Sequence, residues 1–373
     1  MKKFLILLTA LALVCAFTLP AAAQEEKPME ERLAAALDLI EKGPLHWGFY
    51  GSARMSTFWE VDNTADDEDL TWDLQGNSRF GAVVKKDLDN GTAIGGGFEF
   101  AVNDGTGGET GNVGTRKLFG IYDFGPGQLL VGQTYPPTAN QFYSNQVWAG
   151  DEDLLGSGQL YTSRRPMIQW STGGLKIALV EPTPADRITL NPDTSDLGGI
   201  TIPADGLDVD TTLPKIELGY KFPLDMVWFE FNGGFQTVET DVPVSETWDS
   251  YVAELGMGFD VGITGVKLAG HYLVNGGLYG VYSQIPLNVG YRNGEVLDNE
   301  AWGGLGVVTV KATDMLAFEA GVGYRESSTD GYETQDTDVL SYYLNCVVNI
   351  APGFFIVPEI GWLDFGLDLT NVD

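Results

Sequence analysis

From Leu45 onward the sequence alternates apolar and polar residues with a period of two, almost to its end. In the first run Leu45, Trp47, Phe49, Gly51, Ala53, Met55 and Thr57 share one face, and His46, Tyr50, Ser52, Arg54, Ser56 and Glu60 share the other. Further along, Trp72, Leu74, Phe80, Ala82 and Val84 oppose Asp73, Gln75, Asn77, Arg79 and Lys85. Ile216, Leu218, Tyr220 and Phe222 oppose Lys215, Glu217 and Lys221, and Leu316, Phe318, Ala320, Val322 and Tyr324 oppose Glu319 and Arg325. A period of two makes strands with one wet and one dry face. A soluble sandwich alternates in the same way, so the period leaves two architectures open.

Run length and connections separate them. Many runs exceed about ten residues, where a strand of a soluble protein has about five or six. Short connections at 86–91, 123–127, 172–174, 223–225, 261–265, 312–314 and 351–353 alternate with long polar ones at 61–70, 103–112, 136–158, 181–211, 240–247, 275–299 and 326–338. Short periplasmic turns alternating with long external loops are the pattern of an outer-membrane barrel. Trp47, Trp59, Trp72, Trp170, Trp228, Trp302 and Trp362 fall near run ends, where interfacial girdles lie. The expected fold is therefore all-β, a transmembrane antiparallel up-and-down β-barrel of about sixteen strands over residues 45–373. The runs number about fifteen, which leaves a closing strand missing from this chain unless one run has been split or merged. The unbroken alternation of loop classes favours the missing strand, because an open sheet edge is not viable in lipid.

Residues 1–23 have the form of a cleaved signal peptide: Lys2 and Lys3, an apolar stretch from Phe4 to Leu19, and small residues at Ala21, Ala22 and Ala23. Residues 24–44 predict a short helix, with Leu33, Leu37 and Ile40 at helical spacing and a stop at Gly43-Pro44. The chain carries 52 acidic and 21 basic side chains, so nucleic-acid binding is excluded as a class. Two cysteines and two histidines leave no disulfide framework, and no zinc or other metal site is expected. The cluster Asp62, Asp66, Asp67, Glu68 and Asp69 matches no calcium loop and reads as a solvated acidic surface.

One stretch carries a family resemblance. Thr115 to Gly125, with Arg116 near its start and a glycine-centred turn at its end, continues through Gln128 to Gln133. It resembles the fourth and fifth strands of the Gram-negative general porins, sixteen-stranded barrels, and Arg164 to Gly173 is similar to the strand that follows. Three features depart from the family pattern: no terminal aromatic strand, Gln133 where an arginine often stands, and a helix before the first strand. The resemblance implies that the loop 136–158 folds into the barrel and narrows it. It implies a constriction in which Arg54, Arg79, Arg116 and Arg165 line one wall and Asp151, Glu152 and Asp153 on the loop face them. It also implies outer-membrane lipid and lipopolysaccharide as surroundings, and a homotrimer packed through strand one. The same three acids read equally well as a solvated loop.

The function this supports is passive diffusion of small hydrophilic solutes and ions through a water-filled channel, with no cofactor. Acids in the loops outnumber the arginines of the neck, so the charge count predicts a mild cation preference, strongest at low salt. A substrate-specific channel for a sugar, phosphate or fatty acid is the alternative. An outer-membrane hydrolase is a weaker one: it needs a histidine beside a nucleophile or carboxylate, and neither His46 nor His271 has such a companion in the sequence. The chain is expected not to be an enzyme.

Overall fold

The computed structural model describes residues 45–62, 67–103, 112–148, 152–183, 187–188, 207–240, 246–292, 295–330 and 337–366. The expected signal peptide, the helix of 24–44 and Asp151 lie outside the described residues.

Fifteen strands make one antiparallel meander in which each strand pairs with its neighbours along the chain. They are β1 (Leu45–Ser52), β2 (Arg79–Asp87), β3 (Ala93–Asn103), β4 (Asn112–Asp123) and β5 (Gln128–Thr134). Next come β6 (Arg165–Thr172), β7 (Leu175–Val180), β8 (Lys215–Pro223), β9 (Val227–Thr240) and β10 (Thr247–Val261). The last are β11 (Thr264–Val274), β12 (Asn299–Lys311), β13 (Leu316–Thr329), β14 (Thr337–Ala351) and β15 (Phe354–Ile356 continued by Glu359–Phe365). The registers run without interruption from β1 on β2 to β15 on β14. No register among the described residues joins β1 to β15.

The two classes of connection fall on opposite rims. Turns at 88–92, 124–127, 173–174, 224–226, 262–263, 312–315 and 352–353 mark one rim, and all long loops rise from the other. β10 and β14 reach 15 residues, more than a soluble sheet needs. Outward side chains stay bare: Phe49, Leu118, Val131, Leu255, Trp302 and Leu344 are all more than half exposed. Such a belt suits lipid and would be unstable in water. No helix among the described residues is long and apolar enough to cross a membrane; the strands cross instead.

Two features differ from the sequence reading. The first run breaks at Ala53-Arg54, and its continuation, Met55–Asp62, folds back on Asp67–Leu74 as a separate two-stranded hairpin. The break follows from unequal lengths, since 53–54 stand opposite 75–78. It is closed by Gln75 N–H donating to Arg54 O (2.9 Å) and Arg54 N–H donating to Ser78 Oγ (2.9 Å). Secondly, the inner face is not uniformly polar. Val252, Leu273 and Ala301 point inward and are buried with Leu160, Tyr279, Val281 and Leu287 of two infolded loops, 135–164 and 275–298. Loops that cover part of the inner wall turn that part into a dry core.

Candidate functional site

The loop 135–164 is held by carboxylates that strands β8 to β15 send inward. Glu217 on β8 accepts the N–H (3.0 Å) and the hydroxyl (2.9 Å) of Thr138. Glu254 on β10 accepts the N–H of Leu160 at 3.1 Å. Glu319 on β13 accepts the N–H of Asn145 at 2.5 Å and its amide Nδ2 at 2.8 Å, and Glu359 on β15 accepts the N–H groups of Val147 and Trp148, each at 2.9 Å. One cation does the converse: Arg325 on β13, fully buried, donates to the carbonyls of Gly156 (3.1 Å), Gln159 (2.6 Å) and Tyr282 (2.8 Å). A loop whose regular structure is limited to short turns such as the 3-10 turn Pro137–Ala139 must pair its remaining backbone groups somewhere, and here the wall supplies partners. The approach is close enough that a Cβ on Gly158 would stand 2.7 Å from the Cα of Gly323, which only glycine at 158 avoids.

The loop thus lies against β8–β15 and leaves the inner face of β1–β6 open. That face gathers cations around one carboxylate. Glu99 on β3 is 1% exposed and takes Arg116 Nε at 2.7 Å, Lys117 Nζ at 3.2 Å and the Tyr50 hydroxyl at 2.9 Å. Both cations reach one acid because β4 carries a bulge: Glu99 pairs with Lys117 and Phe100 with Thr115, so Arg116 is an extra residue in the ladder. A bulge re-aims side chains that strict alternation would send to opposite faces. Tyr50 reaches across β2 over Gly81, where a Cβ would lie 2.7 Å from its ring. Arg79 donates from Nε to Asn77 O at 2.9 Å and lies within electrostatic range of both Arg54 and Arg116.

Aromatic side chains from the loop complete the cluster. The Tyr135 hydroxyl accepts from Arg116 Nη2 (3.2 Å) and Arg164 Nη1 (3.1 Å). Its ring lies 5.2 Å from Lys117 Nζ and 5.3 Å from the Arg164 guanidinium, and it meets Phe142 at 5.3 Å and Tyr161 at 6.4 Å between centroids.

The structure therefore brings Arg54, Arg79 and Arg116 together and adds Lys117 and Arg164, which the alternation did not single out. Arg165 sits apart, on β6 at 3.8 Å from Glu181. Glu152 does not face the basic wall, contrary to the sequence reading. Its carboxylate is buried, accepts the Gly156 N–H at 2.9 Å and bonds the side chains of Gln284 and Tyr282. The reason is the second loop, which docks onto the turn 152–157 through Gln284 N–H to Gly156 O (3.0 Å). Burial pushes the Glu152 carboxyl up from its ordinary range, against the pull of those hydrogen bonds and of Arg325. Asp153 takes left-handed backbone (φ 56°) and its N–H donates to Gln146 O at 3.3 Å.

The histidines are far apart in use. His46 is exposed, 3.9 Å from Asp87, whereas His271 Nε2 accepts from Arg325 Nε at 3.1 Å within the buried loop anchor. Among the described residues no group of His, Cys, Asp or Glu side chains is placed to hold a metal ion.

Comparison with known proteins agrees with this architecture. The family model for Gram-negative porins matches residues 9–353. No curated protein sequence matches. Among solved structures, the outer membrane channel DcaP of Acinetobacter baumannii is similar with a TM-score of 0.65 at 15% identity, over 86% of this chain and 91% of that one. A loop-deletion mutant of OmpT, an outer membrane protein of Vibrio cholerae, gives 0.57 at 15% identity over 87% and 95%. An anion-selective porin from Comamonas acidovorans gives 0.56 at 13% identity over 86% and 89%. A transmembrane meander, an infolded loop and a family match over most of its length make this chain a member of the Gram-negative porin family, an outer-membrane channel protein.

Proposed function

We propose that the channel passes small hydrophilic solutes by diffusion and favours anions at its neck, with Arg54, Arg79, Arg116, Lys117 and Arg164 lining the open side of the constriction. One observation carries this reading: five cations gather about one carboxylate among the described residues. Arg116 and Lys117 bind Glu99, Arg79 lies within electrostatic range of Glu99, Arg116 and Arg54, and Arg164 shares the Tyr135 hydroxyl with Arg116. The mild cation preference expected from the charge count set the acids of the loops against the arginines of the neck, and the inward strand carboxylates Glu217, Glu254 and Glu319 do not add to it. Each of them is at most 2% exposed and bound to the loop, so a passing ion meets the cations first. Acidic groups at the external mouth favour cations, and salt screens them over about 10 Å at 0.1 M. The test is the zero-current potential across a planar bilayer holding a salt gradient at moderate ionic strength. An anion-selective sign is expected; a cation-selective sign there overturns the reading and restores the one drawn from the charge count.

A homotrimer belongs to the same proposal. The outward face of β1 offers Trp47, Phe49 and Gly51, and the hairpin above it exposes Met55, Trp59, Val61, Leu70 and Trp72 on one side. A contiguous apolar surface beyond the bilayer favours protein contact. Mass measurement in mild detergent that gives only monomers removes it.

A further inference from the structure

Beneath the infolded loop, next to the short-turn rim, lies a pocket of about 600 Å³ that the constriction does not use. Its wall side carries Lys176 on β7, Lys221 on β8, Glu230 on β9 and Lys267 on β11, and its loop side carries Gln141, Phe142 and Tyr143. Lys221 is already oriented: its ammonium stands 4.2 Å from the Trp228 ring and 3.6 Å from Glu230. Trp228 is fixed in turn by stacking on Tyr143 (5.8 Å, 14°). Lys267 donates to the Tyr143 carbonyl at 3.0 Å, which ties the loop down and keeps the charge at the pocket wall. Lys176 makes no hydrogen bond or ion pair among the described residues, although Glu230 and Lys221 lie within electrostatic range.

We infer that this pocket is a second anion station, selective for a small solute bearing two oxyanion charges. Three ammonium groups against one carboxylate leave two positive charges uncompensated, in a space sized for a small organic molecule and not for a bare ion. Phe142, 41% exposed, belongs both to this pocket and to the Tyr135 cluster above it. A solute leaving Arg116 and Arg164 therefore passes along one ring into the reach of Lys176 and Lys221. The inference rests on the anion-passing reading of the constriction and adds where the solute pauses and what charge it carries.

The experiment is current block in single oriented channels, with succinate or inorganic phosphate added in turn to the short-turn side in a chloride background. The expected result is a half-blocking concentration raised about tenfold by Lys176→Gln with Lys221→Gln, and left near the wild-type value by Lys176→Arg. Arg116→Gln should alter the chloride selectivity and leave the short-turn-side block in place, which separates failure of this inference from failure of the constriction reading. Block by one anion alone names carboxylate or phosphate as the group recognised. Absence of block by both, or a block indifferent to Lys176→Gln with Lys221→Gln, overturns the inference.

Discussion

The two halves of the wall meet the same loop with opposite chemistry. On the β8–β15 side the groups that hold the loop are carboxylates facing backbone N–H groups, plus Arg325 facing carbonyls, and Glu217, Glu254, Glu319 and Arg325 among them are buried. On the β1–β6 side the inward groups are cations that share one acid and two tyrosine hydroxyls. On the reading proposed above, a charge used to hold a loop no longer acts on a solute, so a count of charges alone does not set the sign at the neck. What counts is which charges remain solvated.

The largest effect should come from undoing the anchored half. Glu319→Ala combined with Glu359→Ala leaves the partly buried N–H groups of Asn145, Val147 and Trp148 without their acceptors, at up to about 1 kcal/mol for each bond lost where water can take the acceptor's place. The loop should leave the wall, single-channel conductance should rise several-fold, and calorimetry should record a lower Tm. Unchanged conductance would mean that the loop does not narrow the channel. Next in size is the loss of anion preference in Arg79→Gln with Arg116→Gln, read from the zero-current potential. The contrast is Glu254→Gln, whose amide oxygen can still accept from Leu160; it should leave that potential within error, and a shift as large as that of the arginine pair breaks the comparison.

A smaller change is expected for Lys117→Met. Glu99 retains Arg116 at 2.7 Å, so the potential should move in the same direction as in the arginine pair and by less. The smallest effect concerns Glu152. Its carboxyl titrates above the ordinary 4.5, so ionisation works against the docked turn as pH rises through that range. Glu152→Gln should therefore raise the Tm modestly at pH 7, and the gain should vanish below about pH 4.5, where both side chains are neutral. A Tm lowered at pH 7 would show that the anionic form is the one the turn needs.

Much of the wall was legible in the sequence because each strand repeats one rule. Ile216, Leu218 and Tyr220 are exposed and Lys215 and Glu217 are buried, as their alternation requires. Both rims were legible from loop length. The site was legible only in part. Arg54, Arg79 and Arg116 come together on one inner face, but Lys117 was hidden because a bulge breaks the period beside them. Arg164 was hidden because it precedes the strand that starts at Arg165. Loop docking is non-local: Glu319 and Asn145 are 174 residues apart, and no spacing in the sequence encodes their meeting. The same holds for 275–298, which reads as a polar external loop and is packed inside through Tyr279, whose hydroxyl donates to Glu217 at 3.0 Å.

The loop anchors also have a mechanical consequence. A barrel wall is one strand thick, and its hydrogen bonds run around the circumference, so it resists stretching of the hoop far better than flattening into an oval. The loop leaves the wall after β5, touches β8, β10, β13, β14 and β15, and returns at β6. These contacts act as spokes of fixed length across the hoop. The shape of the opening is then set from within, by about half a dozen carboxylate and guanidinium ties, and lateral pressure in the surrounding bilayer has little purchase on it.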